Sequence, residues 1–168
     1  MTRTAHVTMV RIGEQAASAS HGDVLSSVGL GSCIGLALLD EKRGVAGLAH
    51  ILLPDSRDGA GAVPGKFADT AVPALIDRMV RLGAVKRSIQ AVLVGGAQMF
   101  SFGAKSQLDI GARNEEATRK ALAAAGIPVR ANATAGNKGR TVTVYVGEGA
   151  VTAKEAGGRE VPLFGRAA

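Results

Sequence analysis

Two apolar runs separated by a charged turn constrain this chain most. "CIGLALLD" (33–40) and "GVAGLAHILLP" (44–54) flank the turn "DEKR" and carry almost no polar side chains. Short apolar runs bounded by turn residues read as buried strands, here a hairpin ending at Pro54. With no Trp, one Tyr and four Phe, the core around that hairpin is built from Val, Leu, Ile and Ala. The same scarcity leaves no aromatic platform for stacking bases.

Further strands are expected in "HVTMVRIGE", "DVLSSVGL", "SIQAVLVGGA", "IPVRANAT", "TVTVYVGEG" and "AVTAKE", with the small, polar "QAASASHG" as a spacer between the first two. The period changes near Ala68. Ala71, Val72, Leu75, Ile76, Met79 and Leu82 recur at helical spacing, with Gly83 as terminator. Pro73 fits only the first turn of a helix, which sets the expected start near Asp69 or Thr70. A second helix is expected in "RNEEATRKALAAAG", capped by Asn114 or a close neighbour, with acidic residues in its first turn and Gly126 at its end. "DSRDGAGAVPGK" reads as a flexible loop. Two helices among about seven or eight strands predict a mixed α/β (α+β) fold rather than a regularly alternating one. The length of 168 residues and the absence of a linker or repeat predict a single domain over 1–168, with its core at about 5–155 and a loosely held tail at 156–168.

Composition narrows the function. No apolar run is long enough to cross a bilayer, and "MTRTAHVTMVRIGEQ" lacks the apolar centre of a signal peptide. A single cysteine makes no internal disulfide, so the expected compartment is the reducing cytoplasm. The net charge of +6 favours an acidic partner, but the basic residues are scattered and no nucleic-acid signature accompanies them. One cysteine and three scattered histidines give no zinc-ligand spacing. His6 and His21 have no partner pattern and are expected at the surface. The glycines of "GLGSCIG", "VGGAQMF" and "AGNKGR" lack the spacing and flanking elements of a phosphate loop and read as turns.

The candidate chemistry lies in the hairpin. With a two-residue loop at Glu41-Lys42, Asp40 faces Arg43, and counting back along both strands sets Cys33 opposite His50. Facing side chains on one sheet face have Cβ atoms roughly 4.5–5.5 Å apart, within thiol–imidazole reach. A one-residue slip would send the pair to opposite faces. The imidazole is then placed to take the thiol proton and activate the nucleophile. Gly29, Gly31 and Ser32 let a carbonyl approach the backbone, where the amides of Gly31, Ser32 and Cys33 form a candidate oxyanion hole. Ser27 is the candidate third group that orients the base. Against this stands the common alternative, a lone cysteine buried as an inert small hydrophobe.

The runs "GLGSCIGLALLD…GLAHILLPDS", "PGKFADTAVPALI", "VLVGGAQMF" and "IGARNEEATRKAL" together resemble the chemoreceptor glutamine deamidases, the CheD family, over about Ile12 to Lys154. The resemblance implies an α/β/β layered domain related to bacterial toxin deamidases. It implies a catalytic cysteine at Cys33 and a histidine seventeen residues later at His50. It also implies a hydroxyl six residues before the cysteine, commonly Thr in the family and Ser27 here. Serine keeps the hydroxyl but loses the methyl that restricts its rotamer. A second departure lies at Ala133-Thr134-Ala135-Gly136, where the family tends to have an acidic residue and a glycine pair; no role is assigned to that loop.

By the same resemblance the activity is hydrolysis of receptor glutamine amides to glutamate in chemotaxis adaptation, without metal or organic cofactor. The implied partners are the cytoplasmic helices of methyl-accepting chemoreceptors and a CheC-type phosphatase, with no nucleic acid and no membrane insertion. Two rival readings share these residues: a binding protein that clasps a receptor or phosphatase with deamidation absent or secondary, and another thiol hydrolase such as a methylesterase or transglutaminase.

Overall fold

A computed structural model describes residues 6–56, 63–99 and 109–165. Among these are ten strands and two helices. A central sheet has the order β2 (Gln15–Ser18), β5 (Val45–Ile51), β4 (Ile34–Asp40), β6 (Gln90–Gly95) and β7 (Val129–Thr134). An outer sheet has the order β1 (His6–Met9), β3 (Asp23–Leu30), β8 (Arg140–Tyr145), β9 (Ala150–Glu155) and β10 (Glu160–Phe164). The helices are α1 (Ala68–Arg81) and α2 (Ile110–Ala125).

Every residue of β4 and of β5 is buried, so the central sheet is covered on both faces. On one face Ile34, Leu36 and Leu38 pack with Val72, Leu75 and Met79 of α1 and Leu122 of α2. On the other, Ala37, Leu39, Leu48, Val92 and Val94 meet Leu25, Leu30, Val142 and Val144 of the outer sheet. The result is the expected mixed fold, layered α/β/β. No helix among the described residues is long and apolar enough to cross a membrane.

Several local expectations are corrected. The β4–β5 turn is a four-residue loop, Glu41–Gly44, so Asp40 faces Val45 rather than Arg43. Gly44 closes it in the left-handed region (φ +64°), a position favourable only to glycine, and the buried Asp40 carboxylate accepts from the amides of Arg43 (3.3 Å) and Val85 (2.8 Å). The spacer at 15–22 contains β2, which pairs with β5. Helix α1 starts at Ala68, which moves Pro73 into the second turn. Helix α2 starts at Ile110 under the cap of Asp109, whose carboxylate accepts from the Ala112 amide (2.9 Å). Asn114 is therefore inside the helix, and Glu115 and Glu116 lie beyond its first turn. Residues 160–164, expected within a loose tail, form β10 on the edge of the outer sheet. Of the glycine-rich loop, 57–62 lie outside the described residues, and Pro64–Lys66 forms a 3-10 turn.

Gly111 lets α2 begin against the end of β6: a Cβ there would lie 2.5 Å from the Gly96 carbonyl oxygen and 2.6 Å from that of Ala97. Replacing a helical glycine by alanine ordinarily gains up to about 1 kcal/mol in propensity. Overpacking against backbone that cannot yield costs about 1–3 kcal/mol, so the clash wins. Gly111→Ala is expected to lower the midpoint of urea unfolding, and an unchanged or raised midpoint would contradict this packing.

Candidate active site

At one end of the molecule the chain changes sheet three times, and the third crossing, 135–139, joins β7 to β8. Residues 10–14 carry it from β1 to β2, and Gly31–Cys33 carry it from β3 to β4. Backbone pairing stops at such crossings, so other groups must satisfy the freed polar atoms. The His50 amide donates to the Glu14 carbonyl (3.1 Å), and the Gly13 amide donates to that of His50 (2.9 Å). In the second crossing the Gly31 carbonyl accepts from the Ala97 amide (2.8 Å) and the Cys33 carbonyl from the Gly96 amide (2.8 Å). The Ser32 carbonyl accepts from Asn114 Nδ2 (2.9 Å).

His50 faces Gly35, not Cys33, because the loop is four residues long and centred one position later than expected. The offset is two residues, which preserves the alternation. Cys33, Gly35 and His50 therefore share the inter-sheet face, with Cys33 diagonal to the imidazole. Both side chains are buried, at 7% and 4% exposure, and both line one cavity of about 490 Å³ with Val10, Ile12 and Val28. A second cavity of about 470 Å³ reaches Cys33 from the side of Ser32, Leu52, Met99 and Ile110. Around the thiol, Ile12 and Val28 are each 58% exposed, and Met99 and Ile110 are also exposed. They form an apolar rim at the mouth of the site.

The His50 ring is oriented by backbone. Nδ1 lies 3.1 Å from the Val10 carbonyl, which only accepts, so Nδ1 carries the proton and Nε2 is the acceptor nitrogen. Ser27 is fully buried and does not bond the ring; its hydroxyl donates to the same Val10 carbonyl at 2.7 Å. It steadies the histidine only through Val10. Burial pushes the Cys33 thiol pKa up. Burial pulls that of His50 down, against weaker upward pulls from the Val10 bond and the charge of Glu14. Both shifts favour the uncharged form of their group, and burial is the leading cause of each. His6 and His21 are exposed, as expected.

Two features escaped the sequence. The Val10 carbonyl gives no residue-type signal, since any residue supplies a carbonyl. Asn114 does give one: Gly111, Asn114, Thr118 and Leu122 are the buried positions of α2. A polar side chain at core-face spacing needs a buried partner. The loop after β7, left without a role, braces the site from behind. The Gly136 carbonyl accepts from the Gln98 amide (2.9 Å), just beyond the residues that hold Gly31 and Cys33.

A family model described as CheD, chemotactic sensory transduction, matches residues 52–155. The matched span begins just after His50. Proteins named "Probable chemoreceptor glutamine deamidase CheD" from Clostridium novyi (strain NT) and Clostridium kluyveri are 47% and 45% identical over 135 residues, covering 79% of this chain and 83% of each relative. Among solved structures, the hypothetical protein YfiH of Bacillus licheniformis aligns with a TM-score of 0.47 and 15% identity, over 79% of this chain and 61% of that one. YlmD of Geobacillus stearothermophilus aligns with a TM-score of 0.46 and 15% identity, over 73% and 50%. The model match covers more than half of the chain and the relatives most of it: this protein belongs to the CheD family.

Proposed function

We propose that this protein hydrolyses the side-chain amide of glutamine residues in chemoreceptors to glutamate, releasing ammonia, as the names of its relatives state for them. The observation that carries the chemistry is the shared cavity of Cys33 and His50, with the imidazole tautomer set by the Val10 carbonyl. Nε2 of His50 takes the thiol proton as sulfur attacks the carboxamide carbon. The oxyanion is received by backbone amides of the Gly31–Cys33 loop. His50 then returns the proton to the departing amide nitrogen, and ammonia leaves a thioester. Water, deprotonated by His50, cleaves the thioester to glutamate and restores the thiol. Ser27 acts by fixing the carbonyl that orients His50. The apolar rim of Ile12, Val28, Met99 and Ile110 suits apolar side chains around a glutamine in a protein, not free glutamine. The binding-protein reading is not favoured, since the relatives carry a deamidase name.

The direct test incubates a receptor cytoplasmic fragment with the protein and follows the mass gain of amide-to-acid exchange, with free glutamine in parallel. Conversion of the fragment is expected, lost in Cys33→Ala and reduced about 10²–10⁴-fold in His50→Ala. Conversion that survives Cys33→Ala would end the assignment. Ser27→Ala, which removes one supporting hydrogen bond, is expected to cost about tenfold or less.

The pKa directions set a pH profile. The reaction needs His50 neutral, and burial lowers its pKa, so activity persists on acidification into the range where an ordinary histidine is already protonated, and only then falls. The thiol is raised, so unaided thiolate appears only above the ordinary cysteine range. Alkylation of Cys33 by iodoacetamide is expected to show a neutral-pH plateau in the wild type. In His50→Ala only the alkaline rise should remain. A plateau unchanged by that substitution would dismiss His50 as the base.

A further inference from the structure

We infer that Asn114 is a positioning residue that aims the Cys33 backbone amide into the site; the inference rests on the thiol-hydrolase reading and adds to it. Asn114 is fully buried in the second turn of α2. Its Nδ2 donates two hydrogen bonds, one to the Ser32 carbonyl and one to the Leu52 carbonyl, each 2.9 Å. The first holds the loop immediately before the nucleophile, and the second holds the chain just after β5, two residues beyond His50. Cys33 and His50 keep backbone anchors of their own, the Cys33 carbonyl on the Gly96 amide and His50 on Glu14 and Gly13, so the clamp bears on the Ser32–Cys33 peptide.

The peptide unit converts this clamp into catalytic geometry. No peptide bond among the described residues is cis, and in a trans peptide the carbonyl of one residue and the N–H of the next point in opposite directions across one plane. Asn114 draws the Ser32 carbonyl toward α2, so the Cys33 N–H is turned away from the helix. The Ala97 amide does the same for the preceding unit by holding the Gly31 carbonyl, which fixes the Ser32 N–H. Among the described residues no hydrogen bond uses the Ser32 or Cys33 amide as donor. Both donors are left for an incoming oxyanion, and one of them is aimed by a side chain from another layer of the fold.

The choice of residue fits this role. Asn Oδ1 is buried and has no hydrogen-bond partner among the described residues. An unpaired buried acceptor is unfavourable, and an apolar residue would avoid it. An apolar residue would also leave the Ser32 and Leu52 carbonyls unpaired and the loop peptide free to turn. Aspartate has the same shape but, even protonated, donates to at most one of them. Thr118, one turn on, donates its hydroxyl to the Asn114 backbone carbonyl (2.7 Å), which secures that part of the helix.

The test compares two reactions of the same thiol. Iodoacetamide alkylation needs the nucleophile and its base but develops no oxyanion, whereas deamidation of a receptor fragment needs all three. In Asn114→Ala, kcat for deamidation is expected to fall about 10- to 100-fold with KM little changed, while the rate and pH profile of alkylation stay within about twofold of wild type. Equal deamidation in variant and wild type overturns the inference. So does a parallel loss of both reactions, which would mark Asn114 as a structural support alone. If Asn114→Ala does not fold, Asn114→Asp carries the same comparison.

A measurement on the wild type is independent of either variant. A receptor peptide bearing a side-chain aldehyde in place of the target carboxamide should add Cys33 and move the Cys33 amide proton downfield in the NMR spectrum. An unmoved amide in the adduct overturns the inference. Absence of deamidation by the wild type itself would instead defeat the functional reading on which it rests.

Discussion

The organisation of this molecule follows from strands β4 and β5 having no polar face. Every residue in both is buried, so the central sheet needs a layer on each side. Helices α1 and α2 supply one and the outer sheet supplies the other. To build two sheets that sandwich one core, the chain must cross between them. It does so at 10–14, at 31–33 and at 135–139 at the same end of the inter-sheet core. At those crossings the ladder ends and backbone groups become available for other work. The Val10 carbonyl, the Cys33 thiol and the loop amides all belong to the crossings. The site is where the layered architecture leaves polar backbone unclaimed.

Burial gives this site a particular electrostatic character. Both the thiol and the imidazole are held toward their neutral forms, and burial is the leading cause in each case. A neutral thiol is a poor nucleophile and also a poor target for oxidation, because thiolate character governs both. On the proposed reaction the thiol proton passes to His50 as sulfur attacks, so reactivity depends on the imidazole. That places a demand on the histidine: its tautomer must be set by something rigid. A backbone carbonyl, itself fixed by Ser27 and by the Val10 amide bond to Ser26 (2.7 Å), meets the demand.

How much of this was legible in the sequence depended on what kind of group carried the information. The hairpin, the helical period over 71–82 and the mixed class follow from apolar patterning, which reports burial directly. The pairing of Cys33 with His50 was expected in the wrong register, yet the shared face survived because the true turn displaces the register by two residues and not one. Gly44 was the overlooked signal, since a left-handed glycine lengthens the loop. The Val10 carbonyl was illegible in principle, because every residue type presents the same backbone. Asn114 was legible but misread as a helix cap, the commoner use of asparagine. Its spacing with Gly111, Thr118 and Leu122 marks a buried position, where a polar group signals a specific partner. Strand β10 was hidden by a tail rich in glycine and charge, whose order comes from edge pairing with β9.

The two-residue offset changes what faces the imidazole. Facing Cβ atoms lie about 4.5–5.5 Å apart. In a diagonal pair the separation rises to as much as about 7–8 Å. On the proposed reaction Nε2 of His50 first takes the proton from sulfur and later gives it to the departing nitrogen, so the imidazole must reach both atoms in turn. The position facing His50 is Gly35, where a Cβ would lie 2.8 Å from both Leu30 Cδ1 and Val142 Cγ1. With no side chain there, Leu30 and Val142 of the outer sheet close against the strand. His50 remains on the cavity it shares with Cys33. Gly35, two residues after Cys33, thus bears on the packing of the strand that carries the candidate pair.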